Sequence, residues 1–266
     1  MKTVGFIGMG NMAKAMAIGF SAAGKLGTFD MGAFAPNQKK LAANAEEVGF
    51  MAYTNIESLI EASDVLIMAC KPYQIEGVLA QETPRGVVRD LLADKALVSV
   101  AIGWDYDRYA PLVHETTRVQ YIMPNTPTQV GEGVFLVEKK TSLSAEELSW
   151  LHDLLSACGT VVELPAHLIG PGSAVSGCGP AFVSMMMEAM ADAAVKHGIP
   201  RVEAYKMVAQ MVVGTGKLML ETGSHPGAMK DAVCSPGGTT IRGVIALEHA
   251  GMRAAFMDAV DAASGK

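Results

Sequence analysis

Hydrophobic and polar positions follow one rhythm up to Pro165 and another beyond it. In the first part, short apolar runs recur at Val4–Ile7, Val65–Ala69 and Ala96–Ile102, with further strand-like segments at Gly32–Pro36, Met51–Tyr53, Arg118–Met123, Gly133–Glu138 and Val161–Leu164. Runs this short and this apolar suit strands buried on both faces. Between them lie helical patterns at Ala15–Ala23, which Gly24 can end, at Asn55–Glu61, and from Ser144 to about Ala157. Ser144 and Glu147 have capping-box spacing, in which each side chain satisfies an orphan backbone N–H at the helix start. Strands alternating with helices predict an α/β fold, with a mostly parallel, doubly wound sheet over residues 1–164.

From residue 165 to 266 the periodicity is helical. The small-residue passage Ser173-Ala174-Val175-Ser176-Gly177-Cys178-Gly179-Pro180-Ala181 leads into a helix over Ala181–His197, stopped by Gly198-Ile199-Pro200. A second helix is expected over Arg201–Thr222, broken by the segment from Gly223 to Gly227, and one or two more over Ile241–Ala263. In the first of these, Ser184, Glu188, Asp192 and Lys196 form one narrow polar stripe, while Met185, Met186, Met187, Ala189, Met190, Ala193 and Val195 cover the rest. A helix apolar around most of its circumference is buried on most sides. A domain of about 100 residues has little core to hide it. At about 1.5–3 kcal/mol per fully buried methionine, exposure is costly, so packing against a second subunit is expected in preference to a methionine-lined ligand groove.

Composition narrows the function classes. Half of the 266 residues are apolar, 18% are charged, and the formal net charge is −6. That balance argues against a nucleic-acid partner. No apolar run reads as a membrane span, and the opening residues lack a leader pattern, so no membrane association is expected. Cys70, Cys158, Cys178 and Cys234 are scattered with no Cys-x-x-Cys pair, which fits reduced thiols in the cytoplasm. The six histidines and the acidic residues show neither metal-ligand spacing nor a catalytic triad, and His225 before Pro226 reads as a turn residue.

Two stretches carry candidate chemistry. After the first strand, Gly8-Met9-Gly10-Asn11-Met12-Ala13 is a dinucleotide-binding fingerprint with alanine at its third small position. Gly8 permits the tight turn, Gly10 lets backbone approach a pyrophosphate, and Ala13 allows close helix–strand packing. An acid at the end of the second strand would bind the ribose of NAD. Here Ala35-Pro36-Asn37-Gln38-Lys39-Lys40 stands there and Asp30 precedes the strand, which favours the 2′-phosphate of NADP. Lys71, at a strand's carboxyl end, reads either as a cofactor contact or as a surface lysine. Asn125, in Pro124-Asn125-Thr126-Pro127, reads either as a carboxamide or substrate partner or as turn chemistry. The second stretch is Val233-Cys234-Ser235-Pro236-Gly237-Gly238-Thr239-Thr240, a tight hydroxyl-rich loop feeding a helix N-terminus. Free first-turn amides and the helix dipole suit a small anion there, and the alternative is an ordinary helix cap. Ser235, Thr239 and Thr240 are its best polar candidates for chemistry.

The motifs Gly5-Phe6-Ile7-Gly8-Met9-Gly10-Asn11-Met12-Ala13, Lys71-Pro72, Met123-Pro124-Asn125-Thr126-Pro127, Ser176-Gly177-Cys178-Gly179-Pro180-Ala181, His225-Pro226-Gly227, Lys230-Asp231 and Cys234 through Ile241 together resemble pyrroline-5-carboxylate reductase along essentially the whole chain. The resemblance implies a Rossmann-like domain followed by an all-helical domain that interlocks with a second copy as a homodimer, with rings of dimers as a larger form. It implies reduction of a cyclic imine carboxylate, 1-pyrroline-5-carboxylate, to L-proline as the last step of proline biosynthesis. NADPH is the expected reductant, with NADH as the alternative. It implies cofactor contacts by Ile7, Gly8, Met9, Gly10, Asn11, Met12, Asn37, Lys40, Asn55, Ala69, Cys70, Lys71, Pro72, Ala101, Met123, Pro124 and Asn125. The substrate falls to residues 233–240, with Thr240 and Ser235 catalytic. The chain departs from the family at Ala232, where some relatives carry Asn, and at Pro36-Asn37, where some carry serines.

Overall fold

The computed structural model describes residues 2–23 and 29–265, so Gly24, the expected helix stop, lies outside the described residues. The first compact unit, residues 1–177, is built on an eight-stranded sheet. Its strands are β1 Lys2–Ile7, β2 Phe29–Phe34, β3 Met51–Ala52, β4 Val65–Met68, β5 Ala96–Ser99, β6 Arg118–Met123, β7 Gly133–Thr141 and β8 Gly159–Leu164. Their order is β8-β7-β6-β5-β4-β1-β2-β3. All neighbours pair in parallel except β6 and β7. This is the doubly wound, Rossmann-like sheet that the alternation predicts.

Burial on both faces explains the unbroken apolar runs. Val4, Phe6, Val65, Ile67, Ala96 and Val98 pack into one core layer, and their neighbours Ile7, Leu66, Met68 and Leu97 into the opposite one. The first layer lies under helices α1 Asn11–Ala22, α2 Gln38–Val48 and α4 Ala145–Ser156, and the second includes Leu59 and Ile60 of α3 Ile56–Ala62. Helix α1 begins earlier than the expected Ala15, because the chain turns directly from Gly10 into helix. Strand β2 stops at Phe34, before Pro36, which has no N–H to donate to a ladder. Asp30 lies inside β2, opposite Thr3, where it was expected ahead of the strand; it remains at the amino end of the sheet.

The capping box at α4 is present: the Ser144 hydroxyl accepts from the Glu147 N–H, and the Glu147 carboxylate accepts from the Ser144 N–H. The same carboxylate takes a forked pair of bonds from Arg118 at the start of β6, with Nε–Oε2 at 2.9 Å and Nη2–Oε1 at 2.8 Å. Burial pushes the Glu147 carboxyl up, but the Arg118 and Ser144 hydrogen bonds outweigh it and the net shift is downward. A depressed carboxylate contributes stability that is present above its unfolded pKa and lost as pH falls through the folded one. Glu147→Gln is expected to cost about 1–2 kcal/mol in denaturant unfolding at neutral pH, with the difference from wild type shrinking in acid.

Helix α5, Ala166–Ser176, packs with Ile169 against Tyr121, Met123 and Leu136 of the sheet, and a Cβ at Gly172 would fall 2.8 Å from Leu136 Cδ1. Compactness therefore carries the first unit to Gly177, beyond the boundary expected after Leu164.

The second unit, residues 178–266, holds α6 Gly179–Lys196, α7 Arg201–Thr222, α8 Pro226–Ala232, α9 Thr239–His249 and α10 Met252–Ala263. Helix α7 matches its expected bounds. Helix α8 was not expected: His225 caps it, with Nδ1 accepting from the Gly227 N–H at 3.1 Å, and Pro226 opens it. The unit's buried apolar cluster is small, Ala191 of α6 with Ala204 and Val208 of α7. Met185 is 70% exposed and Met190 43%, so part of the apolar surface read from the sequence on α6 is left open by the single chain, and Val202 and Leu220 of α7 are exposed as well. Among the described residues, no helix is long and apolar enough to cross a membrane, and no cluster could hold a metal ion.

Candidate functional site

Parallel register aligns the carboxyl ends of the central strands. Ile7 stands opposite both Phe34 and Met68, and Met68 opposite Ser99. One edge therefore carries Gly8 to Gly10, the start of α2, residues 69–72, Ala101 and residues 123–125, where open α/β sheets bind ligands.

Gly8 has φ +97°, and its N–H donates to the Phe34 carbonyl at 2.8 Å. A Cβ there would fall 2.8 Å from the Cys70 nitrogen and 2.9 Å from the Ala69 carbonyl carbon. Gly8 is thus required by the protein itself. At Gly10 a Cβ would meet nothing within 4 Å. Gly10 is the N-cap of α1, makes no side-chain cap, and no acid occupies the first turn. Open space beside an uncapped helix N-terminus fits the pyrophosphate of a dinucleotide. Met9 and Ala13 are buried beneath it, Asn11 is exposed, and Met12 is half-buried.

Asn37 caps α2, its Oδ1 accepting from the Lys40 N–H at 3.0 Å, and Asn55 caps α3 in the same way, accepting from the Ser58 N–H at 2.9 Å. Asn37, Lys39 and Lys40 are exposed, and α2 has no acid in its first turn. Lys71 is exposed, while Ala69, Cys70 and Pro72 are half-buried. Burial pushes the Cys70 thiol up to about 11, so it is a neutral packing group. Ala101, Met123, Pro124 and Asn125 are buried.

In the second unit, Ser235 to Gly238 form a turn closed by the Gly238 N–H on the Ser235 carbonyl at 3.0 Å. Pro236 takes the second position, and Gly237, with φ +69°, takes the third, as a type II turn demands. A Cβ at Gly238 would collide with the Ser235 Oγ. Gly238 is the N-cap of α9, with no side-chain cap and no acid in the first turn. Thr239 and Thr240 are therefore first-turn residues, and the ordinary hydroxyl cap is not what forms. Ser235, Thr239 and Thr240 are exposed, Cys234 is half-buried, and Val233 is 65% exposed. Just upstream, Lys230 pairs with Asp231, and Ala232 ends α8.

Residues 167–266 match the family described as pyrroline-5-carboxylate reductase dimerisation, and residues 3–103 match the family described as NADP oxidoreductase, coenzyme F420-dependent. The chain is 38% identical to pyrroline-5-carboxylate reductase of Escherichia coli (strain K12) over 259 residues, 97% of this chain and 94% of the relative. The chain belongs to the pyrroline-5-carboxylate reductase family. Identity is also 38% to the Methanosarcina acetivorans reductase, over 98% of this chain and 95% of that one. The crystal structure of the Plasmodium falciparum pyrroline carboxylate reductase with NADP bound superposes with a TM-score of 0.86 at 27% identity, covering 99% of this chain and 96% of that one. The reaction of this family is reduction of 1-pyrroline-5-carboxylate to proline with NADP(H), and the chain is an oxidoreductase of that kind. Its residues 167–266 match the dimerisation domain of that family. The family match opens at residue 167 and so takes in α5, which packs on the sheet.

Proposed function

We propose that the reductase holds the carboxylate of its cyclic imine at the N-terminus of α9 and serves the imine nitrogen from Thr240. The observation that carries this reading is the uncapped, acid-free first turn behind the Ser235–Gly238 turn. The first-turn amides of Thr239 and Thr240, beyond the Gly238 N–H that closes the turn, give an anion site without an arginine, and Val233, Cys234 and Pro236 frame it. NADPH, when bound, supplies the hydride for the imine carbon. The chain's own task is to fix the imine plane, exclude water and deliver one proton to nitrogen. Thr240 donates its hydroxyl hydrogen bond to that nitrogen or relays the proton through water, with Ser235 beside it as the second hydroxyl. Threonine is a weak acid, so positioning and the preformed dipole field contribute more than acid strength.

Gly8, Met9, Gly10, Asn11 and Met12 would hold the pyrophosphate, and Asn37 with Lys39 and Lys40 the 2′-phosphate that makes NADPH the preferred reductant. Replacing Lys39 and Lys40 together by alanine is expected to raise the KM for NADPH about tenfold, the loss of one charge-assisted contact, and leave that for NADH unchanged. The open apolar faces of α6 and α7 support an interlocked homodimer, with rings of dimers built from it. The absence of a disulfide among the described cysteines supports work in the cytoplasm, at the last step of proline biosynthesis. Steady-state oxidation of NADPH and NADH with 1-pyrroline-5-carboxylate, and with the six-membered imine alongside, tests the reading. Fast turnover of the five-membered imine is expected, and no turnover of either would overturn it.

A further inference from the structure

Asn125 stands at the cofactor edge, yet its side chain faces inward and the residue is only 5% exposed. Its Nδ2 donates to the Ser176 carbonyl at 2.9 Å, and its Oδ1 accepts from the Val134 N–H at 2.8 Å. The amide orientation is forced, since a carbonyl can only accept and an N–H can only donate. One buried amide thus ties three backbone segments: the Pro124 loop after β6, the first residues of β7, and the last residue of α5. The next residue, Gly177, closes the first unit, and a Cβ there would fall 2.8 Å from the Ser173 carbonyl.

We infer that Asn125 is a positioning residue of the reductase: it fixes the Met123–Pro124 backbone at the sheet's carboxyl edge through Ser176 and Val134, and its carboxamide does not contact the nicotinamide. Binding of the dinucleotide at Gly8 to Gly10 does not use this amide. Placement of the reacting ends does depend on the edge it holds, and displacements near 1 Å in such a framework cost about 100-fold in rate.

The test compares Asn125→Ala and Asn125→Asp with wild type in three measurements: the Kd of NADPH, the Kd of 2′-phospho-ADP-ribose, which lacks the nicotinamide, and steady-state kinetics with 1-pyrroline-5-carboxylate. The expected result is kcat lowered about 10- to 100-fold with both dissociation constants within about twofold of wild type. Asn125→Asp keeps the acceptor for Val134 but turns an oxygen on the Ser176 carbonyl, so it should show the same split. Weakened NADPH binding with unchanged 2′-phospho-ADP-ribose binding would make Asn125 a nicotinamide ligand and overturn the inference, as would unaltered kinetics in both variants. Gly177→Ala, which presses on the same helix end and leaves the amide intact, should reproduce the kcat loss at unchanged affinity, and keeps the test decisive if the Asn125 variants do not fold. The two affinity measurements stand whatever the turnover of the wild type.

Discussion

Thr240→Ala is expected to lower kcat about 100-fold while the KM for the imine changes little, in steady-state oxidation of NADPH. Thr240 lies in the first turn of α9, exposed, and among the described residues no hydrogen bond engages its hydroxyl. Within the single chain that hydroxyl has no hydrogen bond to lose, so its removal should leave the melting temperature alone. The proposed anion site consists of backbone amides, which the substitution leaves in place. On the proposed reading carboxylate binding, which sets much of KM, is kept, and the loss falls on the hydroxyl that serves the nitrogen in the transition state. Thr240→Ser should restore most of the rate, because it keeps the hydroxyl. A raised KM with unchanged kcat would reduce Thr240 to a binding residue.

Gly8→Ala and Gly10→Ala should part company, though the two glycines stand one residue apart in the same turn. Gly8→Ala puts a Cβ at φ +97° and within 2.8 Å of backbone at Cys70, so both the turn and the end of β4 must shift. A residue forced into such a conformation costs about 1–3 kcal/mol before any clash is counted. The variant should melt several degrees lower and bind NADPH at least tenfold more weakly by calorimetry. Gly10→Ala has φ −83° and an empty neighbourhood, so the protein alone should melt like wild type. Its methyl group enters the space assigned to the pyrophosphate, and NADPH affinity should fall by about tenfold or more. Equal affinities for Gly10→Ala and wild type would remove that space from the cofactor site.

Much of this was legible in the chain because the determining signals were local. Strands buried on both faces have to be almost wholly apolar, and β4, with β5 apolar but for its final Ser99, announces itself that way. The fingerprint at Gly8 to Gly10 and the Ser235–Gly238 turn are likewise local chemistry, since proline and glycine at fixed offsets specify the turn whatever surrounds it. Helix α5 was hidden by Gly170, Pro171 and Gly172 in its interior, residues that argue against a helix unless packing overrides them; here Ile169 and Gly172 sit against the sheet. Helix α8 was hidden differently. His225-Pro226-Gly227 was read as a break, although a capping side chain followed by proline is also a start. The part played by Asn125 depends on a carbonyl 51 residues away, and no local pattern encodes a partner at that distance.

The thin interior of the C-terminal unit has a consequence for what its stability means. Among the described residues its buried cluster is three side chains of α6 and α7, Ala191, Ala204 and Val208, while Met185, Val202 and Leu220 on the same two helices face outward. At about 25 cal/mol per Å² of apolar area, covering these faces with a second copy adds stability that the single chain does not gain by itself. Its folding is then governed by mass action. Dilution then acts on it as a denaturant, and a newly made chain must find another before its C-terminal unit acquires its full stability.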